Sequence, residues 1–118
     1  MPHKSKNIEI GKKGEDMAVD YLKLRNYEIL ARNFRSGRIE IDIIARNGDI
    51  LVFIEVKTRS GNEFGYPEES VDEAKQDAIE TCAEEYLFQH GWEGDIRFDI
   101  IGISLNSPSP IYHIIDAF

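Results

Sequence analysis

The sequence holds a single cysteine, four prolines and no long apolar run. The lone Cys82 excludes a disulfide framework. The longest purely apolar stretch, Ile50 to Ile54, is far shorter than the ~20 residues a membrane-spanning helix needs. The first seven residues, Met1 to Asn7, lead into no apolar run, so no secretory signal is expected and the cytoplasm is the expected location. Positive charge is scarce as well. Fourteen Lys and Arg stand against 22 Asp and Glu, for a net charge of −8. Taken whole, that balance repels polyanions and counts against nucleic acid as a partner. With 118 residues, one domain spanning 1–118 is expected, because a second would have no room for its own core.

The charge is unevenly distributed. Residues 1–60 carry twelve basic and nine acidic side chains, a balance of +3, whereas residues 61–118 hold only Lys75 and Arg97 against thirteen acids, a balance of −11. Seven of those acids run from Glu68 to Glu84 and read as the solvated face of a helix.

No repeat, linker or low-complexity segment divides the chain. From Lys12 to about Arg25, Ala18, Val19, Tyr21 and Leu22 recur at helical spacing, with Asn26 as the stop. Tyr27 to Arg32 reads as a short strand. Glu40 to Arg46 and Ile50 to Arg59 are rich in β-branched residues and flank Asn47-Gly48, a strong hairpin signal. A Gly- and Pro-containing loop follows, from Ser60 to Pro67. Ser70 and Glu73 have capping-box spacing and predict a long helix with an apolar stripe of Val71, Ala74, Ala78, Cys82 and Tyr86, flanked by Ile79, Ala83 and Leu87 and ending near Gly91. Arg97 to Leu105 and Ile111 to Ile115 complete the pattern as strands.

Side chains alternate across a strand, so Glu55 and Lys57 leave the second hairpin arm on one side, together with Leu51 and Phe53. If Arg46 pairs with Asp49 across the turn, Glu40 lies opposite Glu55, Asp42 lies opposite Phe53, and all three carboxylates share one face. Asp42 is then diagonal to Glu55, a span a metal ion can bridge. A shift of one residue would put Asp42 on the other face. Three acids among apolar neighbours need compensating charge, and Lys57 supplies only one. A hard divalent cation such as Mg²⁺ is suited to that role. Glu15, on the apolar side of the first helix, adds a fourth acid with no packing reason to be there. The competing reading is a ladder of cross-strand ion pairs joining Glu40, Asp42, Glu55, Lys57 and Arg59 on a half-exposed sheet.

Asp42 followed by Glu55-Val56-Lys57 on the next strand, within a helix, three strands, helix, strand order, resembles the PD-(D/E)xK nuclease superfamily. The wider set is Gly11 to Glu15, Arg32 to Arg35, Glu40 to Ala45, Leu51 to Arg59, Arg97 to Asp99 and His113 to Phe118. Together these segments resemble the YraN-like family of predicted endonucleases, relatives of Holliday-junction resolvases. The resemblance implies a restriction-endonuclease-like αβββαβ core, a mixed sheet flanked by helices, with an extra C-terminal strand. It implies a Mg²⁺-dependent endonuclease, Mn²⁺ being the alternative ion. Asp42, Glu55 and the Val56 carbonyl would hold the metal, with Glu15 in the outer shell or on a second metal. Lys57 would orient the attacking water or stabilise charge on the phosphate. DNA is favoured over RNA as the nucleic acid, met by Lys12, Lys13, Arg32, Arg35, Arg38, Arg59 and Lys75, and a homodimer would suit a resolvase-like role. Ile41 stands where the superfamily has proline, and Lys75 is alone where relatives carry a more basic stretch.

Two other functions compete with the nuclease. One is a catalytically inactive nucleic-acid-binding module of the same fold. The other is a protein-interaction domain using the acidic second helix at Glu80, Glu84 and Glu85. Cys82 reads as a buried small hydrophobe and His113 as a structural residue. His3 and His90 have no metal-ligand spacing. Phe64 and Tyr66 flank Gly65 and are candidates either for stacking on a base or for hinge packing.

Overall fold

The computed structural model describes residues 2–60 and 66–118, with side chains from residue 8 onward. Helix α1 (Pro2–Leu24) leads into strands β1 (Glu28–Ser36), β2 (Ile39–Asn47) and β3 (Ile50–Arg59). A short 3₁₀ turn (Pro67–Ser70) and helix α2 (Glu73–His90) then cross over to β4 (Asp95–Ser104), followed by β5 (Ile111–Ile114). The five strands form one sheet in sequence order, antiparallel except for the parallel pair β3–β4. This is the expected αβββαβ arrangement with an extra C-terminal strand.

Each face of the sheet has its own core. Ala18, Val19 and Leu22 of α1 pack on Ile43, Ala45, Val52, Ile54 and Ile101, while Ile79, Cys82, Ala83 and Tyr86 of α2 pack on Ile41, Ile44, Leu51, Phe53 and Ile100. β3 is therefore buried on both faces from Leu51 to Ile54, and that part reads as a continuous apolar run rather than an alternating one. Each of its fully buried large side chains contributes roughly 1.5–3 kcal/mol.

Several boundaries differ from expectation. α1 starts ten residues before Lys12, at Pro2, a residue compatible with the first helical turn. β1 continues to Ser36 instead of ending at Arg32. The cap of α2 is Asp72, not Ser70: the Asp72 carboxylate accepts from the Lys75 amide, while the Ser70 hydroxyl donates to the Pro67 carbonyl within the preceding turn. Ala74 is consequently exposed, and the apolar stripe starts a turn later. Gly91 ends α2 in the left-handed conformation. Among the described helices none is long and apolar enough to cross a membrane.

Candidate metal and phosphate site

The hairpin register decides the site. Asn47 pairs with Ile50, so the two-residue loop is Gly48-Asp49 and the left-handed backbone falls on Gly48. The expected pairing of Arg46 with Asp49 is displaced by two residues, and Arg46 faces Leu51. An even displacement preserves the face of every side chain. It also brings Asp42 level with Glu55 rather than diagonal to it, and Glu40 no longer faces Glu55.

Among the described residues the β2–β3 pairing runs from Asn47–Ile50 to Ile43–Ile54 and goes no further. Beyond it the strands diverge into a fork, and the Val56 amide donates to the Asp42 carboxylate at 2.7 Å in place of a main-chain carbonyl. A strand residue directs its N–H and C=O to the same edge, so the Val56 carbonyl faces the fork as well. The backbone is irregular on the other side of β2 as well. Asn33, across from Asp42, adopts a left-handed φ of 54°. Ile41 and Ile44 consequently both pack on the α2 side, although strict alternation would separate them. Asp42 sits at that kink.

The kink corrects the expectation that three carboxylates share one environment. Glu40 accepts from the Asn33 amide at 2.7 Å and pairs with Arg35 at 2.7 Å. Asn33 also donates to Glu15, which accepts from Arg32 at 3.0 Å, and Arg32 bonds Asp16 in turn. Arg35 is thus the partner of Glu40, where the ion-pair ladder along the sheet had set Glu40 among Lys57 and Arg59.

Asp42 belongs to two adjoining cavities. One, of about 330 Å³, is lined by Gly11, Glu15, Asp42, Val56, Lys57 and Thr58. The other, of about 300 Å³, is lined by Arg38, Glu40, Asp42, Glu55 and Lys75. Glu15 reaches the first because α1 lies close on β3: a Cβ at Gly14 would collide with the Thr58 side chain. Lys12, Arg32 and Arg35 line a neighbouring groove with Glu15 and Glu40, and Arg59 lines a cavity beyond Lys57. Lys13 is exposed on α1. Phe64 lies outside the described residues.

Glu55 is half-buried, and its pKa is pushed up to about 9. Burial is the main cause, followed by the hydrogen bond with Asp42 and the Asp42 charge, with Lys75 acting in the opposite direction. Glu55 therefore favours its protonated form beside the Asp42 carboxylate. Among the described residues no three or more His, Cys, Asp or Glu side chains are arranged to hold a metal ion. The available donors are this pair and the Val56 carbonyl. Two carboxylates, a main-chain oxygen and open space for water fit Mg²⁺, which keeps several waters.

A second polar cluster, on β4 and the C-terminal segment, lay outside the expected site. Asp99 is fully buried and receives two bonds from Arg97, at 2.8 and 2.9 Å, one from the Asp116 amide, and a 2.8 Å contact from His113 Nε2. Tyr21 and Tyr27 extend the network to His113 and Arg97. An acid in an otherwise apolar strand, two residues from an arginine on the same face, was the readable signal. His113 is held on both ring nitrogens, by Tyr21 and Asp99.

The profile of the "Uncharacterised protein family UPF0102" matches residues 14–103. Similar chains include a UPF0102 protein of Dictyoglomus turgidum, 50% identical over 101 residues, covering 85% of this chain and 86% of that one. Others are UPF0102 proteins of Dictyoglomus thermophilum, 46% identical over 116 residues with 95% and 98% covered, and of Christiangramia forsetii, 44% identical over 111 residues with 93% of each covered.

Proposed function

We propose, from the premise that this chain belongs to the uncharacterised protein family UPF0102, that it is a YraN-like, metal-dependent nuclease hydrolysing phosphodiester bonds in nucleic acid. The observation that carries this reading is the Asp42–Glu55 pair at the β2–β3 fork, with Lys57, two residues beyond Glu55 in β3, lining a cavity with Asp42. Packing alone gives no reason to press two acids together in a half-buried fork, because like charges at that spacing destabilise a sheet. Asp42, Glu55 and the Val56 carbonyl would hold Mg²⁺ or Mn²⁺. When bound, the ion supplies Lewis-acid polarisation of a phosphate oxygen and a more acidic water. Lys57 is exposed at the mouth and stabilises charge building on the phosphate or orients the attacking water. Glu15, held by Arg32 and Asn33, acts from outside the donor set.

Charge supports the same face. The acids of residues 1–60 nearest the fork would be offset by the metal, which favours approach of a polyanion there and away from acidic α2. DNA in a branched or flapped form is the favoured substrate, and a resolvase-like role would call for a two-fold dimer. Calorimetric titration with Mg²⁺ tests the reading. Wild type should bind at millimolar concentration and Asp42→Ala should not, and absence of binding by wild type would overturn it. Salt-sensitive nucleic-acid binding that ignores chelator, without cleavage in Mg²⁺, would instead identify a non-catalytic module.

A further inference from the structure

Next to the proposed phosphate site lies a cavity of about 340 Å³ whose walls include Lys57, Arg59, Tyr66, Pro67, Gly102 and Tyr112. Its construction is unusual for this chain. Lys57 pairs with Gly102 across β3–β4, and Gly102 pairs with Tyr112 across β4–β5, so the three form one row across the sheet. Residues directly across neighbouring strands project to the same face, and two strand spacings set Lys57 and Tyr112 roughly 10 Å apart. Gly102 has no side chain, and Pro67 packs onto it so closely that a Cβ there would collide with the ring. Pro67 thus fills the space directly over Gly102 and forms part of the lining of a trough that has a cation at one end and an aromatic ring at the other.

Both tyrosines are open to solvent, Tyr66 at 65% and Tyr112 at 51% exposure. Among the described residues, Lys57 and Arg59 line the trough and no carboxylate does, in a protein of net charge −8. Cations beside exposed aromatic rings suit a ligand that is both anionic and flat. The volume, at the lower end for small-molecule sites, accepts one nucleoside and not a duplex.

We infer that the trough between Lys57 and Tyr112 takes an unpaired nucleotide of a nucleic-acid strand, its base stacked against the Tyr66 and Tyr112 rings and its phosphate directed to Lys57. The inference rests on the nuclease reading for the position of the scissile phosphate, and it narrows the substrate to nucleic acid with a single-stranded segment at the cut.

The test uses oligonucleotides carrying 2-aminopurine, whose fluorescence is quenched on stacking, titrated with the full chain in calcium and, separately, in chelator. Wild type should quench the probe in a single-stranded or flapped oligonucleotide and bind that strand more tightly than a blunt duplex. Tyr66→Ala and Tyr112→Ala should lose the quench and weaken single-strand binding roughly tenfold, with duplex binding unchanged. Tyr112→Phe should restore both. Both rings are exposed, so circular dichroism and melting of the variants should match wild type. Equal single-strand binding by wild type and both alanine variants would overturn the inference. Equally tight, tyrosine-dependent binding of the free 2-aminopurine monophosphate would also overturn it and reassign the trough to a mononucleotide. Tyrosine-dependent quenching without cleavage in Mg²⁺ would leave the inference standing and remove the nuclease reading.

Discussion

The Asp42 Oδ2 lies 2.7 Å from the amide nitrogen of Val56, just past the last rung between the strands that carry them. One carboxylate thus serves as an acceptor for the diverging β3 backbone while its charge faces Glu55.

Substitutions at Asp42 should separate these roles. Asp42→Ala leaves a half-buried amide without its acceptor and should cost about 1–3 kcal/mol. Asp42→Asn retains an oxygen for the amide and should cost less. Both should abolish Mg²⁺ binding. Urea unfolding alongside calorimetry reads the two effects, and Mg²⁺ binding retained by Asp42→Asn would refute the metal role.

The raised pKa of Glu55 sets a pH dependence. The folded value of about 9 lies above the ordinary 4.5, so the folded state binds more protons between them. The associated stability is fully present below 4.5 and is lost as pH rises toward 9. Metal must displace this proton, so Mg²⁺ affinity should rise with pH, by up to about tenfold per unit below 9. Calorimetry in buffers of different ionisation enthalpy should show close to one proton released at pH 7. Glu55→Gln, a neutral isostere, should melt near wild type at pH 6, with the pH-dependent decline gone and Mg²⁺ binding lost.

The Asp99 network should govern the acid limb of stability. Burial alone would raise the Asp99 pKa, but bonds from His113, Arg97 and the Asp116 amide outweigh it and hold it below the ordinary 3.8. A depressed carboxyl contributes stability above that value and loses it as pH falls through the folded pKa. Arg97→Ala strands a buried charge and should destabilise by about 3–5 kcal/mol at pH 7. Its acid unfolding midpoint should move to higher pH, and an unchanged denaturation curve would contradict this account.

Gly14→Ala should push α1 away from β3, because the added methyl meets Thr58. A loss of about 1–3 kcal/mol is expected for such overpacking. Thr58→Ala in the same chain should recover most of it, a coupling that a double-mutant cycle measures.

What the sequence revealed and concealed follows the range of the forces involved. The order of elements was legible because apolar periodicity is local, and so was the nearness of Asp42 to Glu55, because an even shift of register keeps the two strands' rows in step, although alternation itself breaks at Asp42. The register itself was not legible. It depended on whether Asn47 or Gly48 would begin the loop, and both residues tolerate left-handed backbone. Nothing adjacent to Asn33 indicated that its backbone would kink β2 and draw Glu40 toward Arg35. Ser70 and Glu73 matched a capping pattern, yet Pro67 began a separate turn first and left the cap to Asp72. Of the Asp99 network only the Arg97–Asp99 spacing is local, and local pattern carries no trace of the groups it joins across the sequence, Tyr21 to His113 among them.

Cys82 is 1% exposed, and burial pushes its thiol pKa up, so in the folded chain it should be silent toward thiol reagents. It becomes reactive only when α2 lifts from the sheet, and α2 carries Lys75 over Glu55. With no other thiol in the sequence to react, its labelling rate is a native stopwatch for opening of that wall. Any cysteine introduced at the surface would accept a spectroscopic label without competition from the original.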